Sequence, residues 1–340
     1  MLTYHEPGIY PGMSEDEYRA DPSLGSTDLK RLLISPLTYW IHSPHNPSRP
    51  EDDSTDATEY GTALHVRLLL GREEFYSRYA PKLRPEDFPG CIKSGDELNA
   101  KCKELGLKAR GTNGERTERI RTFRLQFPGM DQGGPLWDDL LAEYEAEHEG
   151  CEQIPARWIT NIELAAEAVE GSDETRERLT GGESEVAVFW RDPEYQTPLK
   201  ARLDYHKTVG ANHEITDVKS FANANGKQLE QAVASAVASY GYGVQACSYS
   251  AGVAALKSPE RLTFTFLFIN SGPVPNVLVR DFAEFVERER TAYWAKANRD
   301  FRHAAGLWKY SKDRFGLDRP WVDAAVRQPL TDDDFPLWSL

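Results

Sequence analysis

The strongest constraint in this chain is an alternation from Pro198 to Lys207, in which Leu199, Ala201, Leu203 and Tyr205 take turns with Lys200, Arg202, Asp204 and His206. A period of two sends successive side chains to opposite faces, so the stretch reads as a half-buried strand with Asp204 on its polar face. Thr208 to His213 supply turn residues, and Glu214 to Ser220 read as a second strand on which Asp217 and Lys219 share a face. If the strands pair, two carboxylates and an ammonium converge. Oxygen donors so placed suit a hard cation, Mg²⁺ or alternatively Mn²⁺. A lysine beside them can orient water and offset charge developing on phosphorus. The same Asp-x-Lys spacing also fits a plain solvated ion pair on an amphipathic strand.

The surrounding residues add to this pair. Glu185 lies in the apolar run Ser184 to Trp190. Downstream, Gln245 and Tyr249 are four apart and share one face of a helix. Far upstream, Gly61 and His65 do the same in a helical stretch from Ala57 to Leu70, with acids at its start and Gly71 as its stop. By itself a helix histidine is as readily a packed or surface residue.

Taken in order, Gly61-x-x-x-His65, Glu185, Asp204, Asp217-x-Lys219 and Gln245-x-x-x-Tyr249 resemble the PD-(D/E)XK nuclease superfamily in its RecB-like branch. Tyr242-Gly-Val-Gln-Ala-Cys-Ser-Tyr249 and Trp190-Arg-Asp-Pro-Glu194 look like the nuclease domain of the RecE (exonuclease VIII) type of phage and prophage exonucleases. The resemblance spans roughly residues 20 to 270. It implies a restriction-endonuclease-like α/β core, a mixed central sheet flanked by helices, and Mg²⁺-dependent hydrolysis of linear double-stranded DNA that leaves 3′ single-stranded tails for recombination. It further implies that His65, Glu185, Asp204, Asp217 and the backbone carbonyl of Val218 hold the metal. Lys219 would handle the nucleophile, Gln245 would steady the site, and Tyr242 and Tyr249 would contact DNA. Related exonucleases form rings of identical subunits around a DNA end, so a homo-oligomer is expected, with a single-strand annealing protein as a further partner.

Two other function classes stay open: a DNA-end-binding protein without turnover, and an endonuclease or nuclease subunit of a helicase complex. No Walker-type Gly-x-x-x-x-Gly-Lys-Ser/Thr occurs, so unwinding would have to come from a partner.

A chain of 340 residues with 40% hydrophobic and 28% charged residues is ordinary for a soluble globular protein. The expectation is one nuclease domain over residues 1–340, carrying a small helical insertion at 91–124. Its first residues show no signal-like pattern and no apolar run is long enough to span a bilayer, which points to the cytoplasm and no membrane partner; the resemblance implies that the cell is a bacterial host. Cys91, Cys102, Cys151 and Cys247 lack CxxC spacing, which indicates neither a zinc site nor a disulfide framework. Some RecB-like nucleases carry an iron–sulfur cluster with three cysteines after the Gln-x-x-x-Tyr motif; no cysteine follows Cys247 here, so the resemblance implies no cluster.

The net charge of -14 weighs against a nucleic-acid enzyme unless basic residues are gathered locally. Between Cys91 and Arg124 nine Lys and Arg stand against five acids, a local balance of +4. The segments Glu97–Leu107 and Gly111–Ile120 resemble a SAP motif, a DNA-binding helical pair, with Lys108 and Arg110 as its DNA contacts. A surface helical hairpin explains the same charges.

For the rest, residues 1–24 read as an irregular arm and Ser26 to Pro36 as a short helix capped by Ser26 or Thr27. Helices are expected in 151–181 and over Lys227 to Ala238, a buried strand over Leu262 to Ile269, and a long helix from Val279 to Ala304. The tail beyond Pro320, with Asp332 to Leu337, reads as an acidic end.

Overall fold

The computed structural model describes residues 2–51, 54–131, 133–223, 226–284 and 292–322. The chain divides into two compact units, residues 1–59 with 168–340, and residues 60–167. Its strands are β1 (Gly8–Tyr10), β2 (Tyr79–Pro81), β3 (Glu152–Ile154), β4 (Glu183–Arg191), β5 (Pro198–Val209), β6 (Asn212–Phe221), β7 (Arg261–Asn270) and β8 (Val277–Glu284). No helix among the described residues is long and apolar enough to cross a membrane.

The first unit is an α/β fold built on a mixed six-stranded sheet in the order β1-β4-β5-β6-β7-β8. Every neighbouring pair is antiparallel except β6 and β7. The alternation that opens the sequence reading becomes β5, joined to β6 by the two-residue turn Gly210-Ala211, with Gly210 at φ 63°. That turn is tighter than the six-residue one expected, and a left-handed glycine is what such a hairpin needs. A parallel neighbour requires a crossover. Here it is supplied by the helices Leu229–Ser239 and Tyr242–Lys257.

The second crossover helix is buried along most of its length. It packs on β4, β5 and β7, and the helix Ala292–Phe315 covers it in turn. Leu199, Ala201 and Leu203 of β5 join Val186, Val188 and Trp190 of β4 and Phe264, Phe266 and Phe268 of β7 in one core cluster. Helix and sheet approach closely at Gly252, where a Cβ would lie 2.7 Å from the Trp190 ring, so no larger residue fits.

Several expectations are corrected. Residues 1–24 are not an irregular arm: β1 pairs with β4, Glu15–Ala20 is a helix, and His5, Tyr10 and Tyr18 surround the Phe189 ring. That segment also takes up Lys200 of β5. Lys200, Asp204 and His206, three of the four side chains expected on an exposed polar face, are 8%, 8% and 6% exposed, while Arg202 is half-buried. Each is satisfied internally: the Lys200 ammonium donates to the carbonyls of Tyr18 and Asp21, and His206 shares a hydrogen bond with His213. The Ser26–Ile34 helix is capped by Gly25, whose N–H is taken by Asp28, rather than by Ser26 or Thr27. Ser35 and Pro36 then open a further helix, Pro36–His42. Residues 279–284, expected as the start of a long helix, instead belong to β8 because β7 offers them a ladder; the helix proper is Ala292–Phe315. Residues 285–291 of that expectation, and Asp332 to Leu337, lie outside the described residues.

The second unit contains the whole 91–124 segment. The helices Gly95–Glu104 and Asn113–Gln126 each begin with a capping box, Ser94 with Glu97 and Thr112 with Glu115. Leu98, Cys102, Ile120 and Leu136 form a small core between them, and β2 and β3 pair in parallel nearby in the same unit.

Candidate active site

The functional cluster starts from an interruption in the sheet. The β5–β6 ladder runs from Val209–Asn212 to Tyr205–Thr216, and its next step would be Asp204 opposite Asp217. The ladder stops there. Instead the Asp204 carboxylate accepts the backbone N–H of Val218 at 2.7 Å, so a side chain replaces a main-chain acceptor. An extended residue sends its N–H and C=O toward the same neighbouring strand, so the Val218 carbonyl also faces β5 at the point where the two strands part. β6 keeps its full parallel pairing with β7 past this point, which holds Asp217, Val218 and Lys219 in register.

Asp217 is fully buried, and its two carboxylate oxygens are engaged separately. Gln245 donates from Nε2 to Oδ1 at 2.7 Å, and the Lys219 ammonium lies 2.6 Å from Oδ2. Burial pulls the Lys219 pKa down, but the charges of Asp217 and then Asp204 more than reverse this, so it stands above the ordinary lysine value. Asp204 behaves in the opposite sense. Burial pushes its carboxyl up to about 6, against the opposing charge of Lys219 and with reinforcement from Glu185.

Glu185 completes the cluster from β4. The register that pairs Ser184 with Tyr205 and Val186 with Leu203 sets it opposite Asp204. Its backbone is left-handed, φ 55°, in the middle of a strand. For a glutamate this costs on the order of 1–3 kcal/mol and is found where surrounding structure imposes it. The carboxylate forms an ion pair with Arg202.

The Tyr242–Lys257 helix contributes more than Gln245. Tyr249, 7% exposed, has its hydroxyl hydrogen-bonded to Ser26, and burial followed by the Asp217 charge raises its pKa to about 12. It is a tether between helix and site with little surface to offer a ligand. Tyr242 is half-buried, and two ammoniums stand over its ring, Lys219 at 5.4 Å and Lys30 at 5.6 Å from the centroid.

The structure thus brings together Glu185, Asp204, Asp217, Val218, Lys219, Gln245, Tyr242 and Tyr249 within the first unit. His65, Lys108 and Arg110 belong to the second. His65 ends the helix Asp56–His65, which passes directly into the π-helical turn Val66–Leu70. Lys108 and Arg110 are exposed between the two capped helices, and their carbonyls accept from Arg119. Arg202 and Lys30 are additions that the sequence reading missed. Arg202 could have been found as the cation two residues before Asp204, whereas Lys30 carries no spacing signal.

Within the first unit the donors are oxygens, three carboxylates and a carbonyl, which suits a hard divalent cation. A cation there would also offset the burial that opposes ionisation of Asp204. No family model matches the chain, and no curated protein matches it. Among solved structures, an inferred exonuclease from Eubacterium rectale is similar at 10% identity over 94% of this chain and 96% of that one, with a TM-score of 0.47. The protein SSO0001 is similar at 13% identity over 72% of this chain and 85% of its own, with a TM-score of 0.22.

Proposed function

We propose that this chain is a divalent-metal-dependent deoxyribonuclease of the RecB-like PD-(D/E)XK type, in the manner of the RecE exonucleases. The observation that carries this reading is the parted β5–β6 ladder, at which Asp204, Asp217 and Lys219 converge with Gln245 fixing Asp217 from behind. A solvated surface pair would need none of this burial. Asp204, Asp217 and the Val218 carbonyl would hold Mg²⁺ or Mn²⁺, joined by Glu185. When bound, the ion supplies Lewis acidity at a phosphoryl oxygen and a water of lowered pKa.

The roles of the chain's own groups follow from their protonation. Lys219 stays an ammonium because its two acidic neighbours hold the proton. It therefore serves by orienting the attacking water and offsetting charge on phosphorus, rather than by abstracting a proton. Gln245 keeps Asp217 in one rotamer, and Tyr249 steadies the helix that carries both. Tyr242 offers a ring edge to DNA.

The substrate we infer is the end of linear double-stranded DNA, degraded to leave 3′ tails. The working form is a closed homo-oligomer acting beside a single-strand annealing protein in a phage-infected or lysogenic bacterial cytoplasm. A body of net charge -14 holds DNA weakly alone, and enclosure by identical subunits compensates through topology. The test is a time course on end-labelled linear and covalently closed duplex with Mg²⁺ or EDTA, beside light scattering of the protein. Metal-dependent loss of linear DNA only is expected. Equal cutting of closed circles by a monomer would replace this reading with an endonuclease, and no cleavage in Mg²⁺ or Mn²⁺ would overturn it.

A further inference from the structure

Lys30 belongs to none of the motifs that define the site, yet it reaches it. It lies on the Ser26–Ile34 helix, and its stem crosses Gly241, where an added Cβ would sit 3.6 to 3.7 Å from its Cγ, Cδ and Cε. Gly241 has φ 61° and opens the Tyr242–Lys257 helix, so the stem runs over the glycine toward Tyr242. Its ammonium stops 5.6 Å from the Tyr242 centroid, the ring that Lys219 also approaches.

The two lysines differ in how their charge is met. Lys219 has Asp217 at 2.6 Å. Arg31, next to Lys30 in sequence, has Asp28 at 3.8 Å. Among the described residues Lys30 has no carboxylate within 4.0 Å and no hydrogen-bond acceptor, only the face of an aromatic ring. Burial, and then repulsion from Lys219, lowers its pKa to about 8, against a smaller opposing attraction from Asp217. A half-buried cation left beside another cation is unfavourable unless an anion arrives to share both.

We infer that Lys30 is a substrate-binding residue that contacts a DNA phosphate next to the one being hydrolysed, with Tyr242 as the spacer between Lys30 and Lys219. The inference rests on the nuclease reading of the same site. A phosphate held there fixes the register of the strand without touching the reacting atoms. The contact adds an ion pair that releases counterions, which makes it visible in the salt dependence of binding.

The test compares wild type with Lys30→Met, which keeps the stem on Gly241 but removes the charge, and with Lys30→Arg, which restores a cation. Binding of a fluorescent linear duplex is measured in EDTA from 50 to 200 mM salt, and steady-state cleavage in Mg²⁺. For Lys30→Met, KM and Kd are expected to rise about tenfold with kcat within about threefold, and the slope of log K against log salt to shallow by roughly 0.7 to 0.9. Lys30→Arg is expected to recover both, which a purely structural role would not produce. A folded Lys30→Met with unchanged KM and salt slope would overturn the role of Lys30 while leaving the nuclease intact. A loss confined to kcat would do the same. A wild-type protein that neither binds nor cleaves DNA would instead remove the nuclease reading on which this rests.

Discussion

Removing Lys219 should cost fold stability as well as activity, and the size of that cost follows from burial. Two groups on an open strand face could be exchanged almost freely. Here the Asp217 side chain is fully buried and the Lys219 side chain is 16% exposed, 2.6 Å apart. Lys219→Met leaves a buried carboxylate whose main remaining partner is the Gln245 amide. Breaking a buried pair from one side typically costs about 3–5 kcal/mol. Asp217→Asn strands the ammonium instead, but Lys219 is nearer solvent and keeps the Asp204 charge as company, so the loss should be smaller, about 1–3 kcal/mol. The double variant has neither charge and should be more stable than Lys219→Met alone, with a coupling of about 1–3 kcal/mol.

The assay is urea unfolding followed by tryptophan fluorescence, for which the chain carries eight tryptophans. Midpoints are compared at matched slopes so that a change in the unfolded state is not mistaken for a change in stability. All three variants should fail to cleave. Additive losses in the double variant, or a Lys219→Met loss under about 1 kcal/mol, would show that the pair is solvated in solution.

Asp204 gives a pH test whose sign is fixed by the direction of its shift. Its folded pKa, about 6, lies above the ordinary 3.8, so the stability it contributes is present below about 3.8 and is lost as pH rises through about 6. A divalent cation needs the ionised form, so Mn²⁺ should raise the thermal midpoint more at pH 7.5 than at pH 5, and equal shifts at both would contradict the assignment. In the second unit, Lys108→Ala with Arg110→Ala should shallow the salt slope of duplex binding by up to about 1.8. An unchanged slope in a folded variant would set aside the SAP-like reading.

What could be read in the sequence was what depends on local pattern. The alternation of β5, the apolar run of β7 and the amphipathic crossover helix all follow from the spacing of neighbours along one element, and all appear. What could not be read depends on what covers an element from afar. Nothing within Pro198 to Lys207 says that Tyr18 and Asp21, some 180 positions earlier, will supply carbonyls to Lys200 and bury its ammonium. Val277 to Glu284 satisfies helical and strand spacing alike, and only the ladder with β7 decides it. The ladder break at Asp204 is of the same kind, since it is a property of two strands and one N–H.

Charge is the clearest case, because a sum over sequence assumes that every charge faces solvent. The basic segment 91–124 has a balance of +4, but much of it is consumed within its own unit. Lys101 and Arg124 both bind the buried Asp131, Arg121 pairs with Glu118 and Asp139, and Arg116 and Arg119 hold backbone carbonyls of the connecting loop. Lys103, Lys108 and Arg110 remain exposed without an ion pair among the described residues. The SAP-like reading of this unit therefore rests on those three cations and not on the nine that composition counts. The Arg-rich Asn113–Gln126 helix, in contrast, serves to hold the loop that presents Lys108 and Arg110, while Lys103 lies on the Gly95–Glu104 helix.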